Sequence, residues 1–543
     1  MPSTTIDGRT LTASAVLAVA RPGASGERAR AVLADAARSV LASARDYIDA
    51  HFMHDDAPLM YSFNTGVGLF KDQRVRLDEM QAYQRLTVYA HAAGFGEPFD
   101  AEAVRATMLL RANAFASNFS GPRVAVVDRL LDCLNAGLVP VIPQKGSVGA
   151  SGDLAPLAHL AGAICGFAQA EAYYEGRRMP ARAALEAAGL PPDFPLEAKD
   201  ASALINGSTV SLAVGVLALE DMKRVLKHAE IALALTLECL RAEKAAFDPR
   251  VHEARPHKGQ AASARNVLRM IGDSQRCTEA ARATLYPDEA RAADQAPPPR
   301  VQDVYSLRCA PQVHGPVREA LDYIDGIMAT EINAATDNPL IVPEGDDYVC
   351  ISAGHFHGAY VAQAMDLLAI AAADLGSISE RRLARLVDPT LSYGLPRNLL
   401  AGKKGLNTGY ATVQCTMSAL VMENRTLATP GSVDSVPGKS NAEDHVSNST
   451  WCARKARTVV ANVEGIVAGE ILMAAQALSL VADVAKEHPL GNGTRAALEA
   501  VRAIVPPALS GDRWYHAEME QVLALVRSGA IVAAVEEAVG PLE

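Results

Sequence analysis

The chain has 543 residues, of which 49% are hydrophobic and 21% are charged, and its formal net charge is −11. This length suits one very large domain or two to three regions around a shared core, and the composition is that of a soluble globular protein with few aromatic residues. The acidic balance, and the lack of a basic stretch longer than Lys403-Lys404, argue against a nucleic-acid-binding surface and favour small-molecule chemistry.

The eight cysteines are dispersed without a C-x-x-C pair, so the sequence predicts neither a zinc cluster nor a disulfide framework. The apolar run 13–20 follows Asp7 without a basic segment, which favours a buried helix over a signal peptide. No uninterrupted apolar span reaches membrane length. We therefore expect a cytoplasmic protein that binds no membrane, nucleic acid, nucleotide or metal.

For the N-terminal part of the chain, the sequence predicts a short strand-like segment followed by helices that are separated by loops. Apolar periodicity predicts helices over 13–20, 26–53, 77–92, 101–113 and 124–135. The glycine-bearing segment 61–68 breaks the pattern and has Tyr61 at its start. This segment is either a plain turn with Tyr61 packed inward or a loop that carries a reactive phenol.

Residues 146–153, Gly-Ser-Val-Gly-Ala-Ser-Gly-Asp, mark a place where the backbone does something that a Cβ would forbid. A phosphate-binding loop is disfavoured, because the glycine spacing is not G-x-G-x-x-G and Asp153 puts a carboxylate where phosphate charge would lie. A tight turn is the default for such a cluster. The third possibility is cyclisation: the Gly152 nitrogen attacks the Ala150 carbonyl, Ser151 loses its hydroxyl, and two waters leave.

Residues 146–159 closely resemble the signature of the histidine/phenylalanine/tyrosine ammonia-lyase family. The resemblance implies that Ala150-Ser151-Gly152 becomes 4-methylidene-imidazol-5-one (MIO), an electrophilic ring formed autocatalytically. The segment 61–68 resembles the family's Tyr-Gly-x-Asn-Thr-Gly-Phe-Gly, with Ser62 and Val67 as departures.

Ala90 and His91 fall where this family has its substrate-selecting pair. A lone helical histidine is more often a core or surface group than a ligand. Histidine lyases of the family typically show Ser-His here, and some tyrosine lyases show Ser-His or His-Leu. The pair therefore favours a polar substrate ring, with His91 as a binding residue, without deciding which ring.

Long helices dominate the chain after Asn206. They are predicted from Ser208 to about residue 245 and near 316–336, 357–386, 408–428 and 450–485, with loops at 287–300 and 429–445.

Antiparallel helices of this length stack as a bundle, and their apolar faces exceed what one chain covers, which predicts an oligomer. The resemblance implies a mainly α fold, a long-helix bundle of the fumarase/aspartase-like superfamily with a mixed N-terminal MIO-bearing region. We expect the boundary between the N-terminal region 1–206 and the helical region 207–543. The resemblance also implies a homotetramer with active sites shared between subunits.

Residues 302–309, Gln-Asp-Val-Tyr-Ser-Leu-Arg-Cys, bring an amide, a phenol and a guanidinium into one short segment. Arg308 suits a substrate carboxylate, because its planar fork bonds two oxygens at once, although an isolated arginine is more often in a surface salt bridge. With Pro-Gln-Val-His-Gly at 311–315, the segment resembles a second family motif. The resemblance implies that Tyr305 handles the amine proton and that Gln302 helps orient the substrate ring.

Asn206 matches the family's Asn-Gly, where it is expected to bond the MIO ring or the substrate carboxylate. Glu423 lies in an apolar helical stretch; an exposed glutamate there is usually solvated, but this one aligns with the imidazole-facing glutamate of histidine ammonia-lyases. The segments 432–435 and 443–447 also resemble the corresponding sequence of histidine ammonia-lyases. The resemblance therefore runs from about residue 10 to 490.

Phe356, in the segment 352–358, matches the phenylalanine of the family's Gly-Gly-Asn-Phe-His-Gly and would orient the substrate ring. Ala353 and His355 are departures from that pattern. The alternating His355 and His357 could bind a metal, but no carboxylate or thiolate nearby in sequence completes a site, so zinc is not expected.

Elimination of ammonia from an α-amino acid requires removal of a weakly acidic β-proton and departure of the amino group, which is a poor leaving group. A ring electrophile that bonds to the amino nitrogen makes it a better leaving group. Tyr61 would take the β-proton. The expected enzyme is a carbon–nitrogen lyase that forms a trans-α,β-unsaturated acid, with L-histidine to urocanate favoured by His91, Glu423 and residues 311–315. An L-tyrosine, L-phenylalanine or modified-histidine lyase, or a 2,3-aminomutase, stays open. A dead scaffold is disfavoured because the triad and Tyr61 are present.

Overall fold

The computed structural model describes residues 2–23, 26–286, 300–345, 347–438 and 442–543. The chain forms two units, and neither is continuous in sequence. The first unit comprises Met1–Ala218, Ile324–Asp366 and Pro430–Lys455, and the second comprises Leu219–Tyr323, Leu367–Thr429 and Ala456–Glu543. The expected boundary near Asn206 stays a prediction.

The N-terminus pairs two short parallel strands around a helix. Strand β1 (Ser3–Ile6) pairs with β2 (Arg30–Leu33), helix α1 (Ala13–Ala20) lies between them in sequence, and α2 (Asp35–Phe52) follows. The predicted helix 26–53 therefore begins only at Asp35, and the prediction is wrong for the residues before it. Residues 30–33 alternate between exposed and buried, which is the period-2 pattern of a strand.

The rest of the N-terminal part mixes helices with short strands. These elements are α3 (Met80–His91), β3 (Phe95–Pro98), α4 (Ala101–Ala116), α5 (Val124–Asn135), β4 (Val139–Pro140), β5 (Pro143–Lys145), α6 (Leu154–Ile164), β6 (Glu171–Tyr174), β7 (Arg177–Pro180), α7 (Ala181–Ala187) and α8 (Asp200–Ile205). Strand β3 pairs antiparallel with β5, and β4, β6 and β7 form an antiparallel sheet. The three helices predicted here are confirmed to within a few residues at each end. Helix α4 is buried from Ala103 to Ala116, so it forms the core of this region.

Long helices make up most of the remaining described chain. The elements are α9 (Thr209–Cys239), α10 (Pro249–Glu253), α11 (Lys258–Ile271), α12 (Glu279–Arg282), α13 (Tyr305–Arg308), α14 (Ala310–Ile332), β8 (Leu340–Glu344), β9 (Asp347–Ile351), α15 (Ala359–Leu386), α16 (Ala411–Leu427), α17 (Ser449–Leu480), α18 (Asn492–Arg502), α19 (Tyr515–Ser528) and α20 (Ala530–Val539).

The five predicted long helices correspond to α9, α14, α15, α16 and α17, and the mainly α fold is confirmed. The predicted loop at 287–300 lies outside the described residues except for Arg300. Of the predicted loop at 429–445, the described residues form turns, bends and an isolated bridge but no helix or strand.

A buried polar network joins three of these helices inside the second unit. Glu470 of α17 is fully buried and accepts two hydrogen bonds from Arg382 of α15, at 2.5 and 2.8 Å. Thr236 of α9 and Ser379 of α15 donate to the same carboxylate at 2.8 and 2.6 Å. A buried charge with this many partners tolerates little shift of one helix along another, so the network fixes their register.

Two of the described helices are long and apolar enough to cross a membrane, judged by length and composition alone: α15 and α17. In the most apolar window of each, 61% and 78% of the residues are buried inside the protein. Asp366 and Asp374 interrupt the apolar sequence of α15, and Glu464 and Glu470 interrupt that of α17, so neither helix is an uninterrupted apolar span. Core helices of soluble proteins pass the same test, so these two spans are weak evidence for a membrane segment.

Candidate active site

The tripeptide 150–152 lies in a loop that is pressed against a second glycine-containing turn. Gly152 has a φ of +73° and forms an isolated parallel bridge with Gly207. The Asp153 amide donates to the Gly207 carbonyl at 2.8 Å. A Cβ on Gly152 would lie 2.2 Å from the Gly207 carbonyl carbon, so both the backbone angle and the close approach require glycine.

We expect Gly152→Ala to cost more than about 4 kcal/mol in the free energy of unfolding, because the left-handed angle and a backbone collision act together. Gly189 is a matched control, since its φ is +72° and nothing lies within 4 Å of the Cβ position. Gly189→Ala should cost only about 1–2 kcal/mol. Urea unfolding of both variants measures the difference, and equal costs would contradict the role of the Gly207 contact.

The C-terminal side of the tripeptide is fixed by a buried carboxylate. Asp153 is fully buried, and its oxygens accept hydrogen bonds from Ser147 Oγ at 2.9 Å and Thr450 Oγ1 at 2.5 Å. Ser211 donates to it twice, from its backbone amide at 2.8 Å and its hydroxyl at 3.0 Å. Ser211 and Thr450 come from distant parts of the chain, so the loop takes its shape partly from tertiary contacts.

Ser151 has two polar partners. Asn206 Nδ2 donates to the Ser151 carbonyl oxygen at 2.8 Å, and the Ser151 hydroxyl donates to Glu443 Oε1 at 2.5 Å. The Oδ1 atom of Asn206 is buried without a hydrogen-bond partner in the described structure, so this acceptor is available to a donor in the site. Sequence reasoning missed Glu443 as a site residue, although it opens the matching segment 443–447.

A buried arginine supports the Gly207 turn. Arg111 is fully buried, and its Nη1 donates to Thr209 at 3.1 Å and to Thr336 at 3.4 Å, while Nη2 donates to the Ala203 carbonyl. Burial lowers the pKa of Arg111 to about 10, which leaves it charged at neutral pH. A Cβ on Gly207 would lie 2.4 Å from Arg111 Nη1, so this turn also requires glycine.

The loop that carries Tyr61 is shaped by side-chain hydrogen bonds. Asn64 accepts from the Met60 amide at 2.8 Å and donates to the carbonyls of Phe52 and Pro58 at 3.1 and 2.9 Å. The Tyr61 oxygen accepts from the Gly68 amide at 3.2 Å, and the ring is half-buried. The loop therefore presents the phenol at a fixed position.

Ser62 is strained at the position where the resembling motif has glycine. Its φ is +67°, and its buried Oγ has no hydrogen-bond partner in the described structure. We expect Ser62→Gly to raise the free energy of unfolding by about 1 kcal/mol, because it removes both the left-handed strain and an unpartnered hydroxyl. Thermal and urea unfolding measure this gain. A lower free energy of unfolding for Ser62→Gly would contradict the conclusion that Ser62 is strained.

His91 ends helix α3. Its Nδ1 lies 2.7 Å from the Thr87 carbonyl, so Nδ1 carries a proton and donates to that oxygen. Beyond the helix, the Gly94 amide donates to His159 Nε2 at 3.0 Å. Burial lowers the pKa of His159, which keeps this ring neutral and able to accept.

The segment around Phe356 is tied to the tripeptide loop. The Gly358 amide donates to the Gly149 carbonyl at 3.3 Å, and Phe356, two residues earlier, is half-buried. His357 and His445 lie with their rings 5.5 Å apart, whereas His355 is exposed. Within the described residues, no group of three or more His, Cys, Asp or Glu side chains could hold a metal ion.

The segment with Gln302, Tyr305 and Arg308 belongs to the second unit. Gln302 is exposed, and the Tyr305 ring is 71% exposed with the Arg308 guanidinium 4.8 Å from its centre. Arg308 Nε donates to the Asp303 carbonyl at 2.7 Å. Arg308 also lines a cavity of about 280 Å³ with Glu243 and Asp303.

Glu423 lies on the exposed face of α16. Its Oε2 accepts a hydrogen bond from Asn462 Nδ2 at 2.9 Å, and the same amide group donates to Asn424 Oδ1 at 2.9 Å. The carboxylate is therefore oriented by a neighbouring helix while it stays accessible.

The predicted site residues are divided between the two units. The first unit contains Tyr61, His91, the tripeptide 150–152, Asn206 and Phe356; the second contains Gln302, Tyr305, Arg308 and Glu423. Contacts in the first unit bring the tripeptide together with Asn206 and with the segment that carries Phe356.

Comparison with known proteins gives the family. A family model described as aromatic amino acid lyase matches residues 11–503. The chain is 45% identical to histidine ammonia-lyase from Symbiobacterium thermophilum over 536 residues, which cover 99% of each chain. It is 42% identical to histidine ammonia-lyase from Caldanaerobacter subterraneus subsp. tengcongensis, again over 99% of each chain.

Solved structures agree with this result. Histidine ammonia-lyase from Trypanosoma cruzi matches with a TM-score of 0.86 and 35% identity, covering 98% of this chain and 95% of that one. Tyrosine aminomutase from Streptomyces globisporus matches with a TM-score of 0.89 and 33% identity over 100% of both chains. The chain therefore belongs to the aromatic amino acid lyase family and is a carbon–nitrogen lyase.

Proposed function

We propose that this protein is an MIO-dependent ammonia-lyase that converts L-histidine to urocanate and ammonia. The observation that carries the proposal is the glycine-only contact between the tripeptide loop and Gly207, in a chain 45% identical over nearly its whole length to a protein named histidine ammonia-lyase.

Three features of the structure fit the tripeptide to ring formation. Ala150 is small and buried, so it leaves room for the Gly152 nitrogen to approach its carbonyl carbon. Gly152 already has a left-handed angle, which bends the chain back at this point. The buried, unpartnered Oδ1 of Asn206 offers an acceptor beside Ser151. The ring, once formed, supplies an electrophilic carbon that makes the substrate nitrogen a better leaving group.

The side chains of this protein would bind the substrate and move its protons. Arg308 would pair with the carboxylate through its planar fork, with Asn206 as a second donor. Tyr61, fixed by the Gly68 amide, would take the β-proton, and Tyr305 would handle the amine proton.

Four side chains would select and orient the ring of the substrate. The Nε2 atom of His91 can accept an N–H of an imidazole, and the Glu423 carboxylate can accept from the same kind of ring. Gln302 and Phe356 would orient the plane of the ring. This set favours imidazole over a hydrocarbon ring, because a hydrocarbon ring has no N–H to donate to His91 or Glu423.

The protein would act in the cytoplasm as a homotetramer whose active sites are shared between subunits. Support comes from large apolar side chains that this single chain leaves exposed: Tyr305 at 71%, Tyr360 at 69% and Met422 at 66%. Tyr305 is among the proposed catalytic residues, and such exposed apolar surface is typical of an interface. Sedimentation velocity of the purified protein tests the tetramer.

The function is tested by incubating the protein with L-histidine, L-tyrosine and L-phenylalanine while ultraviolet absorbance and ammonia are measured together. We expect urocanate and equal ammonia from L-histidine, and little product from the others. A β-amino acid without matching ammonia would instead identify a 2,3-aminomutase. That alternative has support from the tyrosine aminomutase match at a TM-score of 0.89.

A further inference from the structure

We propose that Glu443 is a further substrate-binding residue, whose carboxylate holds the amino group of the substrate beside the β-carbon of Ser151. The inference rests on the proposed function and adds to it a recognition group for the substrate ammonium. Both residues belong to the first unit.

The carboxylate of Glu443 contacts Ser151 Oγ, and this oxygen is bonded to the Ser151 β-carbon, which would react. Glu443 Oε1 lies 2.5 Å from Ser151 Oγ and accepts its hydrogen bond. Ser151 Oγ is bonded to Cβ, and this carbon becomes the electrophilic end of the ring in the proposed enzyme.

Glu443 therefore lies within hydrogen-bond distance of an atom attached to this carbon. An amino nitrogen that took the place of that oxygen would lie within reach of the same carboxylate. The charges are complementary, because an amino acid carries an ammonium group at neutral pH and Glu443 carries a carboxylate. Glu443 would accept a hydrogen bond from the ammonium group and hold its nitrogen beside this carbon, while Tyr305 keeps its proposed role with the amine proton.

Backbone and side-chain contacts fix both partners. The Glu443 carbonyl accepts from the Gly438 amide at 2.8 Å, and these two residues form an isolated antiparallel bridge. On the other side, Asn206 Nδ2 fixes the carbonyl of Ser151. A carboxylate on a fixed backbone has less freedom to lose when it binds a cation, which favours a binding role.

The alternative role is structural: Glu443 would only anchor the loop of Ser151. The two roles differ in how binding depends on the substrate amino group. A residue that holds the ammonium affects ligands that have one and leaves desamino ligands unchanged, whereas a loop anchor affects both.

The test measures equilibrium binding by calorimetry on full-length protein carrying Ser151→Ala, which does not turn over substrate. The ligands are L-histidine and imidazolepropionate, which lacks the amino group. Adding Glu443→Gln should weaken L-histidine binding by about tenfold to a hundredfold, the effect of losing a charge-assisted hydrogen bond, and leave imidazolepropionate unchanged. Asp444→Asn, an exposed neighbour with the same charge change, is the matched control and should change neither Kd.

Equal weakening of both ligands, or no weakening of either, would overturn the proposal. If the Ser151→Ala protein binds neither imidazole ligand, the proposed histidine specificity fails. The same comparison is then made with L-tyrosine and 4-hydroxyphenylpropionate, which differ in the same amino group, so the role of Glu443 is decided separately from the choice of ring.

Discussion

Ser151→Ala is expected to abolish turnover, with kcat reduced by at least about 10³-fold, while the fold is retained. Alanine has no hydroxyl to lose, so the exocyclic alkene cannot form. The backbone contacts of the loop do not depend on Ser151 Oγ. Asn206 Nδ2 donates to the Ser151 carbonyl, and the Asp153 amide donates to the Gly207 carbonyl.

Intact mass is the second readout for this variant. The natural chain should weigh two water molecules less than its sequence gives, and the Ser151→Ala chain should not show that loss. Ser147→Ala is a matched control in the same loop: it loses contacts to Gly152 and Asp153 but retains the whole tripeptide, so it should still lose two waters. Near-normal turnover by Ser151→Ala would remove the ring from the mechanism.

Tyr61→Phe is expected to lower kcat by about 10² to 10⁴-fold, because a positioned general base contributes that range. The KM should change much less, since the aromatic ring still fills its place and only the phenolic oxygen is lost. The Gly68 amide loses its acceptor, which costs about 1 kcal/mol of stability at most because it lies in an exposed loop.

Steady-state kinetics over a range of substrate concentrations separates the two parameters. Tyr89→Phe is the matched control, because Tyr89 stacks on Phe167 and its hydroxyl accepts from Arg85 at 3.3 Å. That variant should leave kcat unchanged. If Tyr61→Phe raised KM and left kcat intact, Tyr61 would be a binding group and the base would have to be found elsewhere.

The sequence predicted those parts of the fold whose pattern is local. Apolar periodicity identified the long helices, although their predicted ends differ from the structure by up to six residues, because each must bury one stripe along its length. Strand β2 was assigned to a helix because four alternating residues before α2 read as its first turn. Its identity depends on pairing with β1, more than twenty residues earlier, which no local window contains.

In the candidate site, too, local patterns could be predicted and long-range contacts could not. Residues 146–159 could be read as a reactive loop because their chemistry lies in consecutive positions. The contact of Gly152 with Gly207 and the bond from Ser151 to Glu443 join residues 55 and 292 positions apart in sequence. Such pairs are fixed only by tertiary packing. The two units are likewise each assembled from three separate segments, which a reading in chain order cannot reveal.

The bridge between Gly152 and Gly207 also sets an order of events during biosynthesis. The bend at the tripeptide depends on Asp153, whose partners include Ser211 and Thr450, so almost the whole polypeptide must leave the ribosome before this bend is stable. A nascent chain stalled before residue 450 would carry an unreactive tripeptide. In the proposed enzyme, the electrophile would therefore form only after the chain has folded around the tripeptide, so incomplete chains would carry no reactive group.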